Sequence, residues 1–187
     1  MKRFGLSLVA LTLTSCSTTE RTSAPLLGAP PLCSAGVRLG DVQVAPLTHW
    51  RPDQKEKEAR AEIARKAIEA AFRSTPCAQS VKVLPAAPDT EAAAKIAQAK
   101  SEGAETAVLI TVHELGPILN LSIPVLWSTW SDVKFDLEAV DAATGEAKFR
   151  VEHHRKVGGA FQLRGVGPLQ GEMETALHEV ITGAPAK

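Results

Sequence analysis

The chain has 187 residues, and its 21 basic and 21 acidic side chains cancel when the histidines are neutral. That balance leaves no electrostatic footprint for nucleic acid and no basic belt for anionic lipid. The length suits a single domain with one hydrophobic core, and beyond the first stretch nothing is long and apolar enough to span a bilayer as a helix.

The chain opens on Lys2 and Arg3, followed by an apolar run from Phe4 to Leu13. A run of this length suits the core of a secretory leader and falls short of the ~20 residues of a membrane span. It stops at Leu13-Thr14-Ser15-Cys16. These four residues resemble the lipobox of bacterial lipoproteins, with Leu13 at the large apolar site, Thr14 and Ser15 before the cut and Cys16 as acceptor. The resemblance implies a signal peptide over 1–15, cleavage before Cys16, and acyl (palmitate-type) chains on its thiol and new amino terminus. Losing Lys2 and Arg3 leaves 19 basic against 21 acidic residues. Membrane attachment then rests on the acyl chains, of which two or more hold firmly where one does not. Ser17, rather than an aspartate, follows the acceptor, which in enterobacterial-type sorting implies delivery to the outer membrane with the domain facing the periplasm.

Ser17 to Leu32 is rich in Ser, Thr, Pro and Ala without a periodic apolar face, and residues 16–32 are expected to form a lipidated flexible tether. A single domain is expected over 33–182. Its first strand covers about Val37 to Pro46. Asp53 and Glu56 have the spacing of a capping box for a helix running to about Phe72, with Arg60 on its solvent side. Ser80 to Leu84 reads as a second strand, and Asp89 or Thr90 as the cap of a helix ending near Lys100, with Gly103 as its left-handed terminator. Ala107 to His113, with four unbroken apolar residues, reads as the central strand. Asp132 to Val140 alternates, placing Val133, Phe135, Leu137 and Ala139 on one face. Asp141 to Glu146 supplies the turn for a return along Ala147 to Val157. The last helix buries Leu169, Met173, Ala176, Leu177, Val180 and Ile181, and 183–187 form a tail.

This order predicts an α/β fold: a mixed sheet built by two βα crossovers, then an antiparallel hairpin and a C-terminal helix. Cys16 being the acceptor, Cys33 and Cys77 remain for an oxidising compartment. Each lies four residues before a strand (Val37, Val81), so parallel neighbouring strands would bring them within bonding range. Two buried free thiols are the alternative.

Gly103-Ala104-Glu105 entering the central strand, and Val140-Asp141 with Thr144-Gly145 at the hairpin turn, resemble a group of small bacterial envelope lipoproteins. The group includes neisserial surface lipoproteins of unknown role. Its fold is similar to the periplasmic domain of the curli secretion lipoprotein, the amino-terminal domain of TolB and lipoprotein activators of peptidoglycan synthases. Both motifs reflect strand entry and turn geometry, so the resemblance implies fold rather than function.

Residues suited to chemistry are scattered. His153 and His154 are adjacent on a strand, which sends them to opposite faces, and His49, His113 and His178 have no metal-ligand spacing. Ser122, Ser128 and Ser131 lie in no nucleophile turn, and the glycines between Gly158 and Gly167 lack the lysine of a phosphate cradle. No catalytic residue, cofactor or metal ligand is therefore assigned. The unusual stretch is Leu115 to Ser131, in which no residue is charged. Ile118, Leu119, Leu121, Ile123, Val125, Leu126, Trp127 and Trp130 are its apolar members, and Pro117 and Pro124 argue against a central strand there. Either it is a covered connection, or it is an interaction loop for a partner, a second copy or the membrane face. The expected function is that of a non-enzymatic, lipid-anchored binding or assembly accessory of the envelope, partnering an envelope protein or itself. The alternatives are a carrier of a lipid or small apolar ligand, with Trp127 and Trp130 lining a cavity, and an envelope enzyme with dispersed site residues.

Overall fold

The computed structural model describes residues 18–28, 31–73, 75–123, 126–160 and 164–184, with the backbone alone described for 118–123, 126 and 127. Residues 1–15, expected as a leader, together with Cys16 and Val125 lie outside the described residues. The fold is mixed α/β. Among the described residues seven strands form one open sheet: β1 (Thr18–Leu27), β2 (Gly40–Thr48), β3 (Ala78–Val83), β4 (Ala87–Pro88), β5 (Thr106–Ile123), β6 (Leu126–Asp141) and β7 (Ala147–Ala160). The α-helices among the described residues are α1 (Lys57–Arg73), α2 (Ala92–Ser101) and α3 (Leu169–Thr182).

The strand order is β1-β7-β6-β5-β2-β3, and β4 extends the β3 edge alongside β2. Strands β2, β3 and β5 are parallel, as two crossovers through α1 and α2 require. Strands β5, β6, β7 and β1 are antiparallel neighbours. One face of the sheet is covered by α1 and α3, which meet Val44, Val108, Ile110, Phe135 and Leu137 in a single buried cluster. The alternation of β6 and the apolar stripe of α3 produce this core: Val133, Phe135 and Leu137, like Leu169, Met173, Ala176 and Leu177, are fully buried. On the opposite face α2 covers only the β2–β5 half, through Ile96 on Ala45, Leu47 and Leu109, and Ala99 on Ala107. Over β6 and β7 that face instead carries ion pairs such as Lys134–Glu152, at 2.6 Å.

Cys33 and Cys77 are joined by a disulfide with a Cα–Cα separation of 5.4 Å. Parallel pairing of β2 with β3 places the two cysteines at the same sheet end. Gly103 (φ 80°) and Gly145 (φ 77°) occupy the left-handed positions after α2 and in the β6–β7 turn. In that turn the Asp141 carboxylate accepts the backbone N–H groups of Ala143 and Thr144 at 3.0 Å each.

Four local expectations change. Thr18–Leu27 is a strand rather than coil: β1 pairs with β7 from Thr18↔Gly158 to Leu27↔Arg150, with its residues exposed throughout. Such an edge strand is held by backbone hydrogen bonds and needs no apolar stripe. The Asp53–Glu56 capping box does not form. Instead α1 starts at Lys57, and Glu56, at φ 55°, supplies the carbonyl that accepts the Arg60 N–H. Arg60 is buried, not solvated. Finally, Pro117 lies within a strand: β5 and β6 continue as a long antiparallel hairpin, paired from Thr106↔Asp141 to Ile123↔Leu126.

Candidate functional site: the β5–β6 arm and its root

Strand β2 accompanies β5 only as far as Thr48↔Val112. Beyond it, among the described residues, β5 pairs on one side only, with β6. β7 follows β6 further, to Ala160↔Ser128. The result is an arm whose root is four strands wide, in the row Thr18–Gly158–Trp130–Ile118, and whose end has two strands, at Leu121↔Trp127.

The strand survives Pro117 because of register. Val112, Leu115 and Pro117 pair with Phe135, Val133 and Ser131, so they share one phase of the ladder. The Val112 carbonyl accepts from the His49 N–H, and the Leu115 carbonyl from Arg60 Nη1, on the side away from β6. Pro117 therefore lacks its N–H on the side where no strand needs it.

Polar side chains fix the root. Arg60 also donates from Nε to the Lys55 carbonyl at 2.8 Å. A β-carbon at Gly116 would overlap Arg60 Nη1, so the glycine admits the guanidinium. Arg51 pairs with Glu114 at 3.0 Å. Burial raises the Glu114 pKa, and the Arg51 charge opposes that rise. Asp132, nearly inaccessible, meets His154 Nε2 at 2.7 Å and Lys156 Nζ at 3.8 Å. Gly158 admits the close passage of β6, since a β-carbon there would lie 2.7 Å from Trp130 Cα and closer still to the Thr129 carbonyl oxygen. The Thr129 hydroxyl accepts the Arg164 N–H at 3.0 Å.

A second polar cluster joins β1, β7 and α3. Arg155 reaches Glu179 at 3.0 Å and Glu172 at 3.4 Å, Arg164 meets Glu172 at 3.1 Å, and exposed Arg21 meets Glu179 at 3.4 Å. Within it His153 is buried, its Nδ1 2.6 Å from the Ser23 hydroxyl. The arginines pair with both glutamates, while His153 Nε2 and Glu179 Oε2 stay without a hydrogen bond, and the cluster reads as the lock between β1 and α3.

Of the residues singled out in the sequence, Trp130 is half-buried in the arm's root row. Ile118, Leu119, Leu121, Ile123, Leu126 and Trp127 have register positions along the arm, and Val125 lies outside the described residues. His153 and His154 face opposite sides of β7, one towards Ser23 and one towards Asp132. Among the described residues, no group of three or more His, Cys, Asp or Glu side chains is gathered to hold a metal. Sequence reasoning missed Arg60 and Gly116: an arginine on a helix carries no mark of burial. A pocket of about 290 Å³, lined by Leu32, Val37, Leu39, Ala139 and Phe149 among others, opens at the sheet end opposite the arm. Trp130 does not line it.

No protein-family model and no curated relative matches the sequence. Among solved structures, the chain is similar to the PelC dodecamer from Paraburkholderia phytofirmans at 15% identity and a TM-score of 0.47, covering 92% of this chain and 99% of that one. It is similar to the lipoprotein GNA1162 from Neisseria meningitidis at 17% identity and a TM-score of 0.43, covering 77% and 99%. It is also similar to the LpoB C-terminal domain from Salmonella enterica at 16% identity and a TM-score of 0.35, covering 71% and 90%. At this level of overlap no residue's role passes from those chains to this one.

Proposed function

We propose that this chain is a lipid-anchored, non-enzymatic accessory lipoprotein of the bacterial envelope, attached to the outer membrane through Cys16 and acting by binding through the β5–β6 arm. The observation that carries the reading is the arm itself. From Leu115 to Ser131 it carries no charge, and beyond Val112 its β5 strand has no second neighbour among the described residues. Strands left open in this way accept another strand or an apolar surface. An acyl anchor confines the domain to a thin layer, where a weak contact gains effective concentration.

Mass spectrometry of the native protein tests the anchor: the amino terminus should be Cys16 carrying acyl chains. Crosslinking in intact envelopes from positions in the arm tests the contact surface. Crosslinks to an envelope protein or to a second copy support binding. An unmodified Cys16 in the soluble fraction removes the anchor, and an arm that crosslinks neither to protein nor to membrane lipid removes the binding role.

The pocket of about 290 Å³ at the other sheet end favours a second reading, carriage of a small apolar ligand, since ligand sites begin near that size. Native mass spectrometry retaining a ligand that Phe149→Asp abolishes would support it.

A further inference from the structure

We infer that the sheet end bearing Thr18, Gly158 and Trp130 faces the membrane and that the β5–β6 arm rests in the interfacial layer of that bilayer. The inference deepens the reading above, because it rests on acylation of Cys16 and names membrane lipid as what the arm meets.

The length of chain before β1 carries the argument. One residue, Ser17, separates Cys16 from Thr18. Two residue steps span at most ~7 Å whatever path they follow. Thr18 lies in the row with Gly158, Trp130 and Ile118, and its hydroxyl donates to the Gly158 carbonyl at 3.2 Å. β1 read backwards, β5 read forwards and β6 read backwards all run towards the tip of the arm. From Ile118 to Ile123 the arm extends ~17 Å past that row at strand rise. The acyl attachment is therefore confined to within that reach of Thr18, in the row at the root of the arm. A long free tether would have let the domain turn any face to the lipid; strand β1 removes that freedom.

Charge and backbone chemistry set the depth. Beyond the row come Leu119↔Thr129, Leu121↔Trp127 and Ile123↔Leu126, with no charge before Asp132 and Glu114 at the root. Tryptophan beside aliphatic residues suits the membrane–water interface. The arm's outer edges have no strand partner beyond Thr48 on one side and Ala160 on the other, among the described residues. Unpaired backbone groups are forbidden in hydrocarbon but tolerated among headgroups, where water reaches them. An interfacial depth of about 5–10 Å satisfies both requirements. Pro117, phased to the open side, removes one of the donors that would need water.

The test uses the native acylated protein in phosphatidylethanolamine–phosphatidylglycerol vesicles, with and without bromine on the lipid chains. Bromine quenches tryptophan emission only at contact range. The wild type should float with the vesicles and lose emission in brominated lipid. Trp50→Phe should keep that loss, and Trp127→Phe should remove most of it. Leu121→Asp should still float through its acyl chains but show less quenching, with thermal unfolding confirming its fold. Flotation without quenching of the wild type overturns the inference and leaves the anchor standing, as does crosslinking of the arm to a second copy in place of lipid. Failure to float, with Cys16 unmodified, overturns the anchor and this inference together.

Discussion

His153 Nε2 and Glu179 Oε2 face each other across 3.8 Å inside the junction of β7 with α3, both buried and neither hydrogen-bonded. Burial, reinforced by the nearby Arg155 charge, pushes the His153 pKa down from 6.5 to about 4. Arg155 and Arg21 already neutralise Glu179, so the histidine gains little from ionising beside it.

The lowered pKa makes stability depend on pH. Above pH 6.5 the histidine is neutral in both states and its contribution is complete. As pH falls below 6.5 the unfolded chain takes up a proton that the folded chain resists until about pH 4, so stability declines through that window. The loss is about 3 kcal/mol at most, at 1.36 kcal/mol per unit. Urea unfolding at pH 7.5 and pH 5 measures it, and His153→Gln should flatten the difference while lowering stability at pH 7.5.

Gly158→Ala should destabilise by about 1–3 kcal/mol, the usual cost of overpacking. The added methyl meets the Thr129 carbonyl and Trp130 Cα, which are backbone atoms unable to swing aside. A lower urea midpoint at unchanged slope is expected, together with faster hydrogen exchange at the β1–β7 pairs nearest Thr18.

Gly116→Ala and Arg60→Ala should be non-additive. The first displaces the Arg60 guanidinium, and the second leaves the Leu115 and Lys55 carbonyls without their donor, costing about 1–3 kcal/mol. In the Arg60→Ala background the glycine substitution should cost far less, because the group it strikes is gone. A double-mutant cycle from urea midpoints reads the coupling. Equal costs in both backgrounds would show that Arg60 does not require the glycine.

Reducing the Cys33–Cys77 disulfide, which closes a separation of 44 residues, should lower stability by about 4 kcal/mol on the chain-entropy account. Unfolding midpoints with and without dithiothreitol, compared with a Cys33→Ala, Cys77→Ala double variant, separate the bond's effect from that of the thiols.

Side-chain periodicity made much of the fold legible. The alternation at Val133, Phe135 and Leu137 and the stripe from Leu169 to Ile181 each marked a buried face correctly, because burial selects residue type at fixed spacing. The turn at Asp141 to Gly145 was equally plain, since a carboxylate cap and a left-handed glycine are local requirements. Where the sequence misled, backbone pairing decided. Thr18–Leu27 has no apolar face and reads as coil, yet β7 offers it an open edge. Pro117 argues for a strand end, yet its register puts the missing N–H on the side where, among the described residues, no strand pairs with β5.

By itself, then, the sequence raised the expectation of a leader with a cysteine acceptor, and determined the crossover order of strands and helices and an uncharged apolar stretch of unknown setting. Only the tertiary structure decided that this stretch forms an arm and that Thr18 stands in the same row as Trp130. The reason is physical: residue type records what a side chain is buried against. The ladder that sets Thr18 against Gly158, 140 residues apart, is a backbone pairing of β1 with β7, to which the Thr18 hydroxyl adds one bond to the Gly158 carbonyl.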